Sequence, residues 1–133
     1  MKDVEYFKNE DELYAIILRN DYHKDGISFF TDDYLSQQLA YMSHPKGKVI
    51  EPHIHKNIER QVFYTQEVLL IKEGKLKVNF FDDNKKYLES RILNGGDVIL
   101  LIKGGHGFEV IENLKMIEVK QGPYLGDNDK IRF

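Results

Sequence analysis

The stretch Glu67-Val68-Leu69-Leu70-Ile71-Lys72-Glu73-Gly74-Lys75-Leu76-Lys77-Val78-Asn79-Phe80 carries two hydrophobic patterns side by side. Its first half, Glu67 to Ile71, is an apolar run. Its second half alternates, with Leu76, Val78 and Phe80 on one face and Lys75, Lys77 and Asn79 on the other. Period-2 alternation marks a half-buried β-strand, and Gly74 between the halves suits a hairpin turn. Downstream the same grammar repeats. Asp82-Asp83-Asn84-Lys85 turns the chain, Tyr87 to Leu93 returns, Asn94-Gly95-Gly96-Asp97 turns again, and Val98 to Ile102 is a fully apolar strand. Lys103-Gly104-Gly105 bends the chain into a last expected hairpin, Phe108 to Ile111 against Met116 to Lys120, closed at Glu112-Asn113. Gly122-Pro123 ends it.

Upstream, Ile27 to Thr31 and Gln37 to Ser43 are further strand candidates. Pro45 and Gly47 break the chain before Lys48-Val49-Ile50. One helix is expected near the N-terminus: Asn9 caps it, Glu12 completes a capping box, Leu13, Ile16 and Ile17 follow at helical spacing, and Asn20-Asp21 stops it. Short strands with frequent turns and no βαβ alternation predict an all-β antiparallel sandwich or barrel. The expected organisation is a single domain over 1–133, with a helical attachment at 1–26, a barrel over 27–121 and a tail at 122–133.

Composition excludes several chemistries. The chain has no Cys, no Trp and five His among 133 residues, which removes disulfide scaffolds, thiol catalysis, Fe–S clusters and Cys-ligated zinc. A metal site must then use His and carboxylates. A net charge of −3 offers no basic footprint for nucleic acid, and no apolar run is long enough to suggest a membrane partner. Met1-Lys2-Asp3-Val4-Glu5 lacks the layout of a signal peptide, so the expected location is the cytoplasm.

His53 and His55 flank one residue. On a strand both imidazoles project to the same side, about 6.6–6.8 Å apart along the chain, and could converge on one ion. Gly47 precedes His53 by five residues, Glu67 is followed by Gly74, and Gly96 opens an apolar strand ending in Gly104-Gly105-His106. These blocks resemble those of the cupin superfamily, G-x5-H-x-H-x3,4-E-x6-G and G-x5-P-x-G-x2-H-x3-N, over residues 47 to 110. The chain departs from the pattern in having Ile102 near the place of the proline and Val110 in place of the asparagine. The resemblance implies an antiparallel jelly-roll β-barrel holding one divalent transition metal ion (Fe, Mn, Ni or Zn) through His53, His55, His106 and a carboxylate. Glu59 has the family's spacing from His55. Glu67 has the glycine and the apolar strand that should follow, if a loop insertion precedes it. Glu67 is the expected ligand, with Glu59 its rival.

With Glu67 facing inward along an extended segment, Gln61, Phe63 and Thr65 share its face and would line a small-molecule pocket. In the last strand Ile117 and Val119 read as the core face, leaving Glu118 and Lys120 at the surface. In the other register Glu118 becomes a candidate general base. His23, His44, Tyr41, Tyr64 and Arg60 read as structural or solvated. Thr65-Gln66-Glu67-Val68-Leu69, Gly105-His106-Gly107-Phe108 and Lys120-Gln121-Gly122-Pro123-Tyr124 look like stretches of small bacterial cupins linked to surface-polysaccharide and nucleotide-sugar pathways. That resemblance implies a metal-dependent isomerase, epimerase or lyase acting on a small polar, sugar-derived substrate, or a dioxygenase if the ion is iron. The alternative is a non-catalytic sugar-binding module with a structural metal. A homodimer is expected through the Phe29-Phe30 strand and residues 37–42.

Overall fold

A computed structural model describes residues 3–133; Met1 and Lys2, part of the expected N-terminal attachment and of the leader reading, lie outside the described residues. Two compact units are present among the described residues, one of residues 3–22 with 64–133 and one of residues 23–63. Strands account for every regular element among the described residues except a 3-10 turn at Gly126–Asp129. No helix there is long and apolar enough to cross a membrane.

The expected N-terminal helix is a β-hairpin. β1 (Val4–Asn9) pairs with β2 (Glu12–Leu18), and Glu10 and Asp11 form the two-residue turn at φ 51° and 64°. Positive φ at both central residues is what a type I′ hairpin requires. Asn9 and Glu12, which read as a capping box, are the pair flanking that turn. Ala15, Ile16 and Ile17 have no exposed surface. The i, i+3, i+4 spacing of Leu13, Ile16 and Ile17 is thus a partial sampling of a strand buried on both faces. A short apolar run satisfies both periods.

The larger correction concerns the two expected hairpins around Gly74 and Asn113. Residues Glu67–Phe81 form one continuous strand, β5, and Gly105–Lys120 form another, β8; the two pair antiparallel from Glu67–Lys120 to Phe81–Gly105. Gly74 sits in a bulge, where the register slips between Ile71 and Leu76. Its φ is +95°, and a side chain there would run into the carbonyl oxygen of Asn113. The glycine therefore serves a close backbone approach within a ladder, a role its freedom suits as well as a turn. The bulge also rephases the strand: Glu67, Leu69 and Ile71 are buried before it, and Leu76, Val78 and Phe80 after it.

β6 (Tyr87–Asn94) and β7 (Val98–Leu101) lie in line along the other edge of β5, β6 beside its second half and β7 beside its first. β2 continues the sheet beyond β7, giving the order β1-β2-β7-β5-β6 with β8 on the far side of β5. The sheet is a curled antiparallel half-barrel. Phe7 of β1 stacks on Phe80 of β5 with ring centroids 4.4 Å apart, although β2 and β7 separate their strands in sheet order. Arg91 of β6 reaches Glu5 of β1 with Nε at 2.9 Å and 3.0 Å from its two carboxylate oxygens. Inside the curl Phe7, Tyr14, Ile17, Leu69, Ile71, Leu76, Val78, Phe80, Leu93 and Ile99 pack as one core.

The second unit holds a two-stranded sheet, β3 (Gly26–Phe29) with β4 (Ala40–Ser43), both shorter than expected. Gln38 staples the connecting loop, its amide donating to the carbonyls of Asp32 and Leu35. Residues 44–66 contain no strand, and Val49 and Ile50 are exposed.

Candidate functional site

The ends of the β5–β8 ribbon come together. His106 stands opposite Phe80 near one end, and Glu67 lies at the other. Straight strands of this length would hold those ends tens of ångströms apart, at about 3.3 Å per residue. Yet His106 Nε2 is 2.7 Å from Glu67 Oε1. The ribbon has to bend for this, and its irregular stretch is the bulge between Ile71 and Leu76.

Cross-strand partners share a face, so Glu118, opposite Leu69, and Lys120, opposite Glu67, point with the buried side of β5. Ile117 and Val119, the expected core face, are exposed, as is Glu118, while Lys120 is half-buried. Glu118 hydrogen-bonds to Glu67, so two carboxyls and an imidazole form one cluster. Burial works against charge on Glu67. The hydrogen bonds from His106 and Glu118, with the charges of His106 and Lys120, outweigh it and hold its carboxyl at about 2, below the ordinary carboxylate value of 4.5. Glu118 moves the other way: its hydrogen bond to Glu67, its partial burial and the neighbouring negative charge raise it. The two adjacent carboxyls are thus pushed apart, Glu67 downward and Glu118 upward.

These groups line a cavity of about 570 Å³, with Thr65 and Lys120 beside them. Phe108 stacks on His106 at 5.3 Å between ring centroids, and residues 129–133 supply another wall. Sequence reasoning treated that last segment as a tail. The visible signal was Ile131 and Phe133 set among charged residues. Lys120, expected at the surface with Glu118, stands half-buried at the cavity.

The remaining expected residues belong to the second unit. His53 and His55 belong to the second unit and are exposed; no strand carries them, Pro52 immediately precedes the pair, and proline has no N–H for a ladder. Their rings meet edge to face at 5.1 Å, and the Nδ1 of His53 bonds the carbonyl of Glu51 at 2.9 Å. Gln61 and Phe63 are also exposed in that unit, in a segment that becomes a strand only at Glu67, so the extended face expected from Gln61 onward does not form. Glu59 is exposed there too, whereas Glu67 is buried in the sheet. Among the described residues no group of three or more His, Cys, Asp or Glu is arranged to hold a metal ion. Comparison with protein-family models, with curated proteins and with solved structures finds no match.

Proposed function

We propose that the chain is a jelly-roll protein of cupin type that binds one divalent transition metal ion and acts as an isomerase, epimerase or lyase on a small polar, sugar-derived substrate. One observation supports this reading above others: Glu67, Glu118 and His106, from opposite ends of a long ribbon, converge on one wall of a cavity. At about 570 Å³ that cavity has the size of a small-molecule site.

The donor types fit the ion. An imidazole nitrogen and a carboxylate oxygen 2.7 Å apart are ligands that Fe(II), Mn(II), Ni(II) and Zn(II) share. When bound, the ion supplies a Lewis acid that polarises a substrate carbonyl. The chain's own groups do the rest. In the metal-free chain Glu67 accepts the hydrogen bond from His106 and fixes its ring, a bond that would give way if both turned to an ion; Glu118 takes and returns a proton at its carboxyl oxygen, and Lys120 adds a positive charge beside both. A cytoplasmic homodimer is part of the same proposal.

Metal analysis of the purified protein tests the ligands. Bound metal should fall in Glu67→Ala and His106→Ala. The His53→Ala/His55→Ala variant reads directly whether the H-x-H pair also ligates. Metal retained in a Glu67→Ala/His106→Ala double variant would sink the assignment. Catalysis is tested by deuterium uptake from solvent into a panel of keto-sugars and nucleotide sugars. There Glu118→Gln should slow exchange by about 10²–10⁴-fold, the contribution of a positioned acid–base group. Tight binding with no exchange across the panel would establish the sugar-binding module instead.

A further inference from the structure

The segment after β8 forms part of the cavity wall without joining the sheet. Among the described residues, its nearest backbone tie to the sheet is the bond from Gln121 N to Gln66 O at 3.0 Å. Beyond the 3-10 turn, residues 129–133 line the cavity. What meets the sheet near the far end is the edge of one aromatic ring, itself 62% exposed. Phe133 stands edge-on to Phe81 at 5.1 Å, with the Lys85 ammonium 5.9 Å from its centroid. The notch it occupies depends on Gly105, where a Cβ would come within 2.9 Å of the Phe133 ring and 3.2 Å of Phe81 Cβ.

The rest of the segment is loosely held. Tyr124, Leu125, Ile131 and Phe133 itself are exposed, Tyr124 has the Lys120 ammonium 5.9 Å from its ring, and the Arg132 guanidinium bonds Asp127 at 2.9 Å, within the segment itself. Gly126 has φ +65° with open space around its Cα, so it answers a backbone need and no packing need. A strap with few buried contacts, a glycine at its base and one ring at its tip is drawn from the low-stability end of a structure, where lids are found.

Its charges indicate what it closes on. The strap brings Lys130 and Arg132 to the cavity, where Lys120 of β8 also stands. Asp129 is there too, and the carboxyls of Glu67 and Glu118 belong to the wall formed by the ribbon. Lysine and arginine together favour an oxyanion, which arginine grips in a bidentate fork. We propose that residues 126–133 form a lid, latched by Phe133 in the Gly105 notch, that closes over a small ligand carrying a carboxylate or phosphate group. The inference rests on the cavity being the ligand site proposed above.

Because the chain has no Trp, Phe133→Trp places a single fluorescent reporter on the latch. The probes are glucuronate, glucose 6-phosphate and, as the neutral control, glucose. Expected is a shifted emission and reduced acrylamide quenching with one or both anionic sugars and no response to glucose; which anion acts separates carboxylate from phosphate. Adding Lys130→Ala and Arg132→Ala should weaken the response about tenfold or more, as loss of charge-assisted hydrogen bonds implies. Gly105→Ala in the reporter chain should raise quenching before any ligand is added, with far-UV circular dichroism confirming the fold. Silence toward both anions, an equal response to glucose, an undiminished response in the Lys130→Ala/Arg132→Ala variant, or unchanged quenching in a folded Gly105→Ala chain would each overturn the lid. Absence of metal or of proton exchange would defeat the proposed chemistry and leave this readout intact.

Discussion

Single residues carry unequal shares of this molecule, and Asp97 carries a large one. It is 4% exposed and accepts hydrogen bonds from the backbone N–H groups of Asn94 and Asn20 and from the Arg19 guanidinium, at 2.7, 2.9 and 3.1 Å. It thereby ties the β6–β7 turn to the end of β2. Asp97→Ala leaves the Asn94 and Asn20 N–H groups without this acceptor and Arg19 with only the carbonyl of Ile92, and should cost about 3–5 kcal/mol, the range for breaking a buried pair by removing one partner. Urea unfolding would read it, with Asp97→Asn losing less. Glu67 predicts a pH effect in the metal-free chain. Its folded carboxyl is held at about 2 against an ordinary value of 4.5, so its contribution is fully present above about 4.5 and lost as pH falls toward 2. Glu118, raised in the fold, runs the opposite way: its contribution is present below its unfolded value and lost as pH rises through its folded one. Acid unfolding of Glu67→Gln should therefore show a shallower loss of stability between about 4.5 and 2 than the parent chain. An unchanged slope would assign that acid sensitivity to other carboxyls.

At the level of elements, the bulge at Gly74 makes the clearest demand. Gly74→Ala adds a Cβ against the Asn113 backbone at a φ of +95°. It should cost at least about 1–3 kcal/mol, whereas a free hairpin turn there would have tolerated it better. Strands were legible where alternation was strong: Leu76, Val78 and Phe80 mark β5, and Val98 to Leu101 mark β7. What pairs with what was less legible. A glycine after an apolar run signals a turn or a bulge equally, and only the partner strand decides, so two hairpins were read where one ribbon runs through. The β1–β2 hairpin failed for a related reason. Its turn uses Glu10 and Asp11, without the Asn-Gly or Asp-Gly signature, and its second strand is buried on both faces, so no alternation survives. Of the candidate site, Glu67 and His106 were legible through motif spacing. Glu118 depended on the register of β8, which cross-strand pairing sets and one strand's own sequence does not.

For the whole molecule, large apolar side chains remain at the surface, among them Phe29, Ile54, Phe63 and Val119 at 62%, 93%, 86% and 55% exposure. A second copy of the chain is the proposed cover. Sedimentation should then return twice the 15.7 kDa of one chain, and a single-chain mass would remove the dimer. The β5–β8 ribbon also has a consequence in time. Its Phe81–Gly105 end joins residues nearest in sequence and its Glu67–Lys120 end those farthest apart. Loop closure favours the near pair, so the ribbon zips from Phe81 toward Glu67. The acid–base cluster needs both ends and the bend between them. It should therefore form only after the ribbon has closed, and a partly zipped ribbon, however much strand it holds, has no site.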